Sequence, residues 1–134
     1  MGSKSNYLEE KWLNHILRGT AYTAPGTAYI ALFTAAPSDS GGGTEVGTGA
    51  YVRVVVNSTA ASWNAPGTSG TIDNASAITF AVATANWGTV VAFGLFDTLS
   101  GGSLLYWGTL DTNKSVDNGD TAQFNAGSLD ISED

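Results

Sequence analysis

Beyond residue 19 the apolar residues recur at a spacing of two, and Gly, Pro and Ser interrupt them at short intervals. This spacing places alternate side chains on opposite faces of a β-strand, whereas the interrupting residues favour turns. The segments that follow the pattern are residues 28–34, 51–57, 78–82, 89–97, 103–111, 121–125 and 129–131. So many short strands in a chain of 134 residues predict a mainly β fold in a single domain, either an antiparallel β-sandwich or a flattened barrel.

One segment near the N-terminus, residues 7–18, has helical spacing instead. Asn6 is placed to cap this helix, Glu9 to complete a capping box, and Gly19 to end it. At 100° per residue the apolar side chains fall on one half of the helix. They are Leu8, Trp12, Leu13, Ile16 and Leu17. We therefore predict an N-terminal arm and helix at residues 1–19 and a β-domain at residues 20–134.

The apolar face of this helix must be covered by another surface, and two surfaces are open to it. It either packs on the flank of the chain's own sheet or docks against a neighbouring subunit. Trp63 lies in a turn-rich segment and also has two interpretations: burial at the end of the sandwich, or exposure as an interface anchor or a ring that stacks on sugars. The residues that we predict to contact a partner are Leu8, Trp12, Leu13, Ile16 and Trp63.

The connections between strands are of two kinds. Residues 89–97 and 103–111 form the clearest hairpin, joined by a short Gly/Ser-rich turn. Residues 37–49 and 64–70 are longer and rich in Gly, Ser or Thr. Loops of such length in a compact domain are usually functional or mobile, and in an assembling protein residues 37–49 could become ordered on a neighbour.

The net charge of −7 is carried entirely by residues 54–134, where Lys114 is the one basic residue, because residues 1–53 sum to zero. Nucleic acids and anionic membranes attract clustered Lys and Arg, which the sequence lacks. No apolar run is long enough for a transmembrane helix, and no apolar signal core follows Met1. We therefore expect no nucleic-acid partner, no membrane partner and synthesis without export.

Catalytic chemistry has few candidate residues. The sequence holds one histidine, His15, and no cysteine, and no G-x-S-x-G motif presents a serine. The pairs Asp97/Asp111 and Asp117/Asp120 could act as paired carboxylates in glycoside hydrolysis, but strand ends and turns also select Asp for backbone hydrogen bonds. We therefore predict that the protein is not an enzyme.

One weak metal motif is present. Asp111, Asn113 and Ser115 match the first three ligand positions of a calcium loop, but Val116 stands where that loop needs Gly and Ala122 where it needs Glu. A turn between two strands is the favoured interpretation of this segment, and we predict no metal site and no cofactor.

A longer pattern runs through most of the chain. It begins with residues 6–9 (NYLE), 13–18 (LNHILR) and 29–37 (YIALFTAAP), continues through residues 78–111 and ends at residues 129–131. This pattern resembles a family of short bacteriophage virion proteins that are often labelled tail fibre proteins.

The resemblance implies a non-enzymatic virion structural protein, assembled in the host bacterial cytoplasm. A compact, acidic β-domain without shaft repeats favours a capsid decoration (cement) protein that stabilises the head lattice. The alternatives are a tail or tail-fibre structural module and a carbohydrate-binding module for host attachment. The expected partners are the major capsid protein or tail proteins of the same virion, together with other copies of the chain in a dimer or trimer.

Overall fold

The computed structural model describes residues 2–133. Along the chain the elements are β1 (Gly2–Lys4), α1 (Asn6–Leu17), β2 (Thr27–Ala35), β3 (Thr44–Glu45), β4 (Val54–Asn57), β5 (Thr71–Asp73), β6 (Ile78–Thr79), β7 (Gly88–Phe96), β8 (Leu104–Val116), β9 (Gln123–Phe124) and β10 (Asp130–Ser132). The prediction of a mainly β, single-domain fold with a helix near the N-terminus is confirmed.

Eight of these strands form one sheet in the order β3-β2-β7-β8-β1-β10-β5, with β4 paired to β2 beside β3. Strands β6 and β9 form a separate two-stranded sheet. The large sheet has two open edges, so the flattened barrel that the sequence allowed is not formed. The main core lies on one face of the large sheet and includes Ile78 and Phe80 from the region of the small sheet.

Strand β2 is buried on both faces, as its continuous apolar sequence predicts. Ile30 and Leu32 belong to the main core, whereas Ala31 and Phe33 pack with Ala92 on the opposite face of the sheet. This strand lies between β7 on one side and the two short strands β3 and β4 on the other. The strands that residue spacing predicts at residues 28–34 and 89–97 are confirmed as β2 and β7.

Strand β1 has no counterpart in the sequence prediction. It lies inside the large sheet, antiparallel to β8 and parallel to β10. Gly2 and Ser3 have no apolar side chains, so the pairing depends on backbone hydrogen bonds and leaves no alternation to detect. The described part of the N-terminal arm is consequently a strand of the β-domain.

The β7–β8 hairpin is present, but β8 continues beyond the predicted end at residue 111. Val90 pairs with Lys114 and Ala92 pairs with Thr109, so the ladder is irregular where Val91 faces several residues of β8. Beyond this irregularity β8 pairs with β7 again, and the pairing continues to Val116. The expectation of a turn at residues 111–115 was therefore wrong.

Four other strands are shorter than or displaced from their predicted bounds. Strand β4 begins only at Val54, β6 ends at Thr79, β9 spans two residues, and β10 begins at Asp130. Strand β3 forms within the predicted loop at residues 37–49, and β5 forms just after the predicted loop at residues 64–70, where the sequence analysis predicts no element. Such short pairings are fixed by neighbouring strands, which residue spacing alone does not report.

Helix α1 begins one residue earlier than predicted because Ser5, not Asn6, is its N-cap. The Ser5 hydroxyl accepts a hydrogen bond from the Leu8 N–H at 3.3 Å, so Glu9 is not placed for the expected capping box. Gly19, at φ +65°, follows the helix end as predicted. Within residues 2–133 no helix is long and apolar enough to cross a membrane.

Candidate interaction surface

Four large apolar side chains of α1 project from the molecule instead of packing on it. Their exposed fractions are 48% for Trp12, 58% for Leu13, 58% for Ile16 and 75% for Leu17. We refer to these four residues as the helix face. Leu8, the fifth residue of the predicted apolar stripe, is buried. Of the five residues of the stripe, only Leu8 is thus buried within the chain itself.

The helix face stays exposed because α1 is attached to the domain at its first turn. The Ser5 N–H donates to the carbonyl of Leu105 at 2.9 Å, and the Ser5 hydroxyl donates to the carbonyl of Leu104 at 2.5 Å. The Asn6 N–H donates to the carbonyl of Asp39 at 2.9 Å. These contacts hold the N-terminal end against β8, and the later turns extend away from the sheet.

His15 contributes to the geometry of the far end of α1. Its Nδ1 accepts a hydrogen bond from the Tyr22 N–H at 3.2 Å, and its ring stacks on Trp12 with centroids 5.9 Å apart. His15 therefore has a structural role at this end of the helix.

The polar residues of α1 are divided by charge along its length. Glu9 and Glu10 are exposed in its first half, whereas Arg18 is exposed just after its last residue. Lys11 lies over the ring of Tyr7, with Nζ 5.4 Å from the centroid. The exposed acidic residues thus lie near the start of α1, and Arg18 lies at its end.

Trp63 occupies a different environment from the helix face. It is half-buried, packs against the main core and forms an isolated β-bridge with Asn74. Only part of its ring surface is accessible to a partner. Because Leu8 is buried and Trp63 is half-buried, each offers less accessible area than Trp12, Leu13 or Ile16. The structure brings Trp12, Leu13 and Ile16 together on α1 and leaves Trp63 outside that surface.

The other tryptophans are held by hydrogen bonds from their indole nitrogens. Trp87 is buried in the main core and donates to the carbonyl of Gly49 at 2.9 Å. Trp107 is half-buried and donates to Oδ1 of Asp39 at 2.8 Å. Trp87 therefore belongs to the main core, and Trp107 fixes the segment that precedes β3.

A buried arginine holds residues 37–49 in place. Arg53 makes a bidentate ion pair with Glu45, in which both N–O distances are 2.8 Å, and donates through Nη1 to the carbonyls of Thr98 and Gly101 at 2.8 Å. Its guanidinium lies 3.7 Å from the centre of the Phe96 ring. The contacts of Glu45, which lies within residues 37–49, thus come from the same chain.

Tyr51 completes this network. Its hydroxyl donates to Oε1 of Glu45 at 2.8 Å and accepts from the Leu32 N–H at 2.9 Å. Burial is the main cause that raises the pKa of Tyr51 above its usual value, and the neighbouring Glu45 carboxylate adds to the effect. The sequence contained one signal for the network, because Arg53 and Tyr51 share a face in an otherwise valine-rich segment, but their partners are distant in the chain.

A cavity of about 560 Å³ lies beside this network, between the start of α1, residues 39–43 and the β7–β8 turn. Its charged groups already have partners in the chain: Arg53 is paired with Glu45, and Asp39 accepts from Trp107. The cavity therefore presents mainly backbone and small side chains to a ligand, and its charged groups serve the fold.

The carboxylates considered for catalysis serve turns in the structure. Asp97 accepts from the Ser103 N–H at 2.7 Å, and Asp120 accepts from the Asp117 N–H at 2.9 Å. Asp111 lies within β8. Among residues 2–133 no group of three or more His, Cys, Asp or Glu side chains is arranged to hold a metal ion.

Comparison with known proteins yields one family. A family model described as podophage GP4 fiber I protein gp80 matches residues 3–132, which include α1 and nearly all of the sheet. A search of curated proteins found no match.

Proposed function

The chain belongs to the family of the podophage GP4 fiber I protein gp80, and from this membership we propose that it is a structural subunit of a bacteriophage tail fibre. The family supports the broader prediction of a virion structural protein. The finer choice between head and tail rests on the word fiber in the family description, which favours the tail-fibre alternative over the capsid decoration role that the sequence preferred.

The extent of the family match carries this proposal. The match covers residues 3–132, so it includes the helix with its exposed face, the Arg53–Glu45 network and the sheet. A local match to one hairpin would carry less weight, because phage structural modules share such elements.

The exposed helix face offers a surface through which a fibre subunit can contact other subunits. Residues 2–133 form one β-rich domain without shaft repeats, and we propose that this domain joins other subunits of the fibre. Trp12, Leu13, Ile16 and Leu17 form a contiguous apolar surface, and such surfaces on soluble domains mark protein interfaces. We assign the contact with neighbouring tail proteins to this face, with Leu8 at its buried edge and Trp63 as a separate, smaller contact.

The proposed role is non-enzymatic. Asp97, Asp117 and Asp120 take part in turns, and His15 accepts a backbone hydrogen bond beyond the helix. Each of these groups has a role in the fold, and the family description names a fibre protein.

The location of the protein in purified phage particles tests the proposal. Quantitative mass spectrometry against the major capsid protein measures its copy number, and gold-labelled antibodies show its position by electron microscopy. A tail-fibre subunit is present in at most a few dozen copies, and the label lies on the tail. A copy number close to that of the capsid protein, or label over the head, would contradict the fibre role and restore capsid decoration.

A matched pair of phage variants tests the assigned contact surface. The double variant Leu13→Gln/Leu17→Gln keeps residues with good helix propensity but removes apolar surface from the helix face. We expect particles of this variant to contain less of the protein, whereas Val82→Gln, at an exposed valine outside the helix, leaves its amount unchanged. Equal amounts in both variants would show that another surface holds the protein in the virion.

A further inference from the structure

We propose that residues 2–22 are exchanged between copies of this chain, so that β1 of one copy fills the gap between β8 and β10 of another. We refer to residues 2–22 as the exchange segment. The inference rests on the proposed function in one respect, namely that copies of the chain are held next to each other in a fibre. It adds the element that joins two copies and the site that receives it.

The exchange segment is attached to strands that are distant from it in the chain. Strand β1 pairs with β8 and β10, Ser5 donates to two carbonyls of β8, and Lys4 makes an ion pair with Glu133. Strand β2, which follows the segment in the sequence, is separated from β1 in the sheet by β7 and β8. A second copy offers the same contacts through its own β8 and β10, so an exchange conserves them.

A hinge follows the exchange segment. The Tyr22 N–H donates to Nδ1 of His15 at 3.2 Å, so the segment is tied to α1 up to this residue. Thr23 and Ala24 are exposed and lie outside any helix or strand. Pro25 disfavours helical backbone at Ala24 and keeps the connection extended. These three residues are therefore the hinge about which the segment can turn toward a neighbouring copy.

Helix α1 and the connection to β2 give the exchange segment its reach. The 12 residues of α1 are about 18 Å long, and residues 18–26, which connect α1 to β2, span up to about 30 Å when extended. Together these lengths exceed the diameter of a small domain, which is about 30 Å. Strand β1 can therefore enter the sheet of an adjacent copy while the two β-domains lie side by side.

The gap between β8 and β10 selects β1 of another copy over a different strand. A Cβ atom at residue 2 would lie 2.9 Å from Cζ of the buried Phe93, so a strand that enters here needs glycine at this position. It also needs a partner for Glu133, which Lys4 supplies. An empty gap would leave backbone groups of β8 and β10 unpaired inside the sheet. The gap is therefore filled by β1 of the same chain or of a neighbour.

The concentration of copies decides which β1 fills the gap. A strand on a short flexible connection competes with an effective concentration in the millimolar range, so exchange requires about 1 mM protein or copies that an assembly holds side by side. The net charge of −7 on residues 54–134 opposes the approach of two β-domains, and salt screens this repulsion. We therefore expect exchange to increase with protein concentration and with ionic strength.

Disulfide trapping in the full chain tests the exchange. The sequence contains no cysteine, and Lys4 and Glu133 contact each other from adjacent strands, whose spacing of about 5 Å is within the range of a disulfide. Chains with Lys4→Cys alone and chains with Glu133→Cys alone are mixed at about 1 mM with oxidised glutathione. Mass spectrometry of proteolytic peptides then measures the 4–133 disulfide, which places β1 of one chain beside β10 of another.

A matched mixture measures random collisions. Lys114→Cys, at an exposed position of β8, replaces Lys4→Cys in this control. We expect at least about tenfold more 4–133 disulfide than 114–133 disulfide at about 1 mM, a further increase at high salt, and loss of the excess at about 10 µM. Without exchange, residue 4 stays covered in its own sheet and gives less disulfide than the control.

Two further measurements keep the test decisive. The double variant Lys4→Cys/Glu133→Cys should close within one chain at about 10 µM, which shows that the two positions are within reach. Circular dichroism shows whether each variant is folded. If the loss of the Lys4–Glu133 ion pair unfolds the chain, Ser3→Cys mixed with Ser132→Cys takes its place, because the parallel register that pairs Gly2 with Ile131 puts these serines opposite each other.

One outcome would overturn the proposal, namely yields of the 4–133 and 3–132 disulfides at about 1 mM that do not exceed the control. This result does not affect the proposed function, which is tested by the copy number and position of the protein in the particle. A tail location without exchange would mean that copies in the fibre are joined through other surfaces.

Discussion

At the scale of single residues, the clearest determinant of the fold is the buried Arg53. Its guanidinium satisfies the Glu45 carboxylate and two carbonyls of the β7–β8 turn, and covers the Phe96 ring. One residue thus joins β3, the segment before β4 and the turn after β7. A planar group with five donors can do this, whereas the single ammonium of a lysine cannot reach all these partners at once.

We expect Arg53→Met to destabilise the protein by roughly 3 kcal/mol, because it leaves Glu45 and the carbonyls of Thr98 and Gly101 without their donor. Urea unfolding followed by tryptophan fluorescence measures the change. Lys114→Met removes an exposed positive charge and serves as the control, with an expected change within about 0.5 kcal/mol. Equal stability of the two variants would show that the network does not hold the fold.

Ser5 is a second residue whose role depends on two elements at once. Its hydroxyl accepts from Leu8 in α1 and donates to Leu104 in β8, and the side chain is buried. We expect Ser5→Ala to cost about 1–2 kcal/mol, whereas Asn6→Ala, at an exposed position, costs little. Thermal and urea unfolding of the two variants compare them directly, and a larger effect of Asn6→Ala would show that Asn6 is the cap after all.

At the scale of elements, α1 and β1 show where residue spacing is informative and where it is not. Spacing alone predicts the helix at residues 7–18, within one residue of its observed bounds at each end, because 3.6-residue periodicity is a local property. The same spacing leaves open whether the helix face is covered by the chain's own sheet. That outcome depends on the attachment of Ser5 to β8, which lies about one hundred residues away in the sequence.

Strand β1 requires a residue without a side chain where it crosses the core. A Cβ atom on Gly2 would lie 2.9 Å from Cζ of Phe93 and 3.2 Å from the carbonyl oxygen of Trp107. Phe93 is buried in the main core, so its ring has little room to move away.

We expect Gly2→Ala to destabilise the protein by about 1–3 kcal/mol through this overlap. Gly26→Ala is the matched control, since a Cβ atom there meets nothing within 4 Å, and its effect should be within about 0.5 kcal/mol of zero. Chemical denaturation of both variants tests the difference. Identical stabilities would mean that the sheet absorbs a methyl group at residue 2 without strain.

At the scale of the whole molecule, the two ends of the chain meet in the middle of the sheet. Strand β1 lies between β8 and β10, and Glu133 binds both Lys4 and the hydroxyl of Tyr106. The sheet is therefore continuous only when both ends are in place. Burial is the main cause that raises the pKa of Tyr106, and the hydrogen bond to Glu133 adds to it.

This arrangement predicts a loss of stability at alkaline pH. In the unfolded chain tyrosine loses its proton near pH 10, whereas in the folded protein Tyr51 and Tyr106 keep theirs to higher pH. Above pH 10 the unfolded state thus binds fewer protons, and the free energy of unfolding falls as the pH rises. The slope is at most about 1.4 kcal/mol per pH unit for each tyrosine, and smaller where water reaches the half-buried rings.

Urea unfolding at intervals from about pH 8 to about pH 11.5 measures this decline. The variant Tyr106→Phe should be less stable at neutral pH, because it loses the bond to Glu133, but should show a shallower decline above pH 10. A free energy of unfolding that stays constant to pH 11 would contradict the raised pKa values of both tyrosines.

The sequence by itself determined the mainly β class, the position of the helix, the β7–β8 hairpin and the buried strand β2. It did so because each depends on the spacing of residues close together in the chain. Only the tertiary structure decided the insertion of β1 between β8 and β10, the irregularity that extends β8 through residues 111–115, and the burial of Arg53. These features depend on backbone pairing and side-chain contacts between distant segments, which leave no periodic signal. The same is true of the helix face, whose exposure follows from how one serine attaches the first turn of α1 to the sheet.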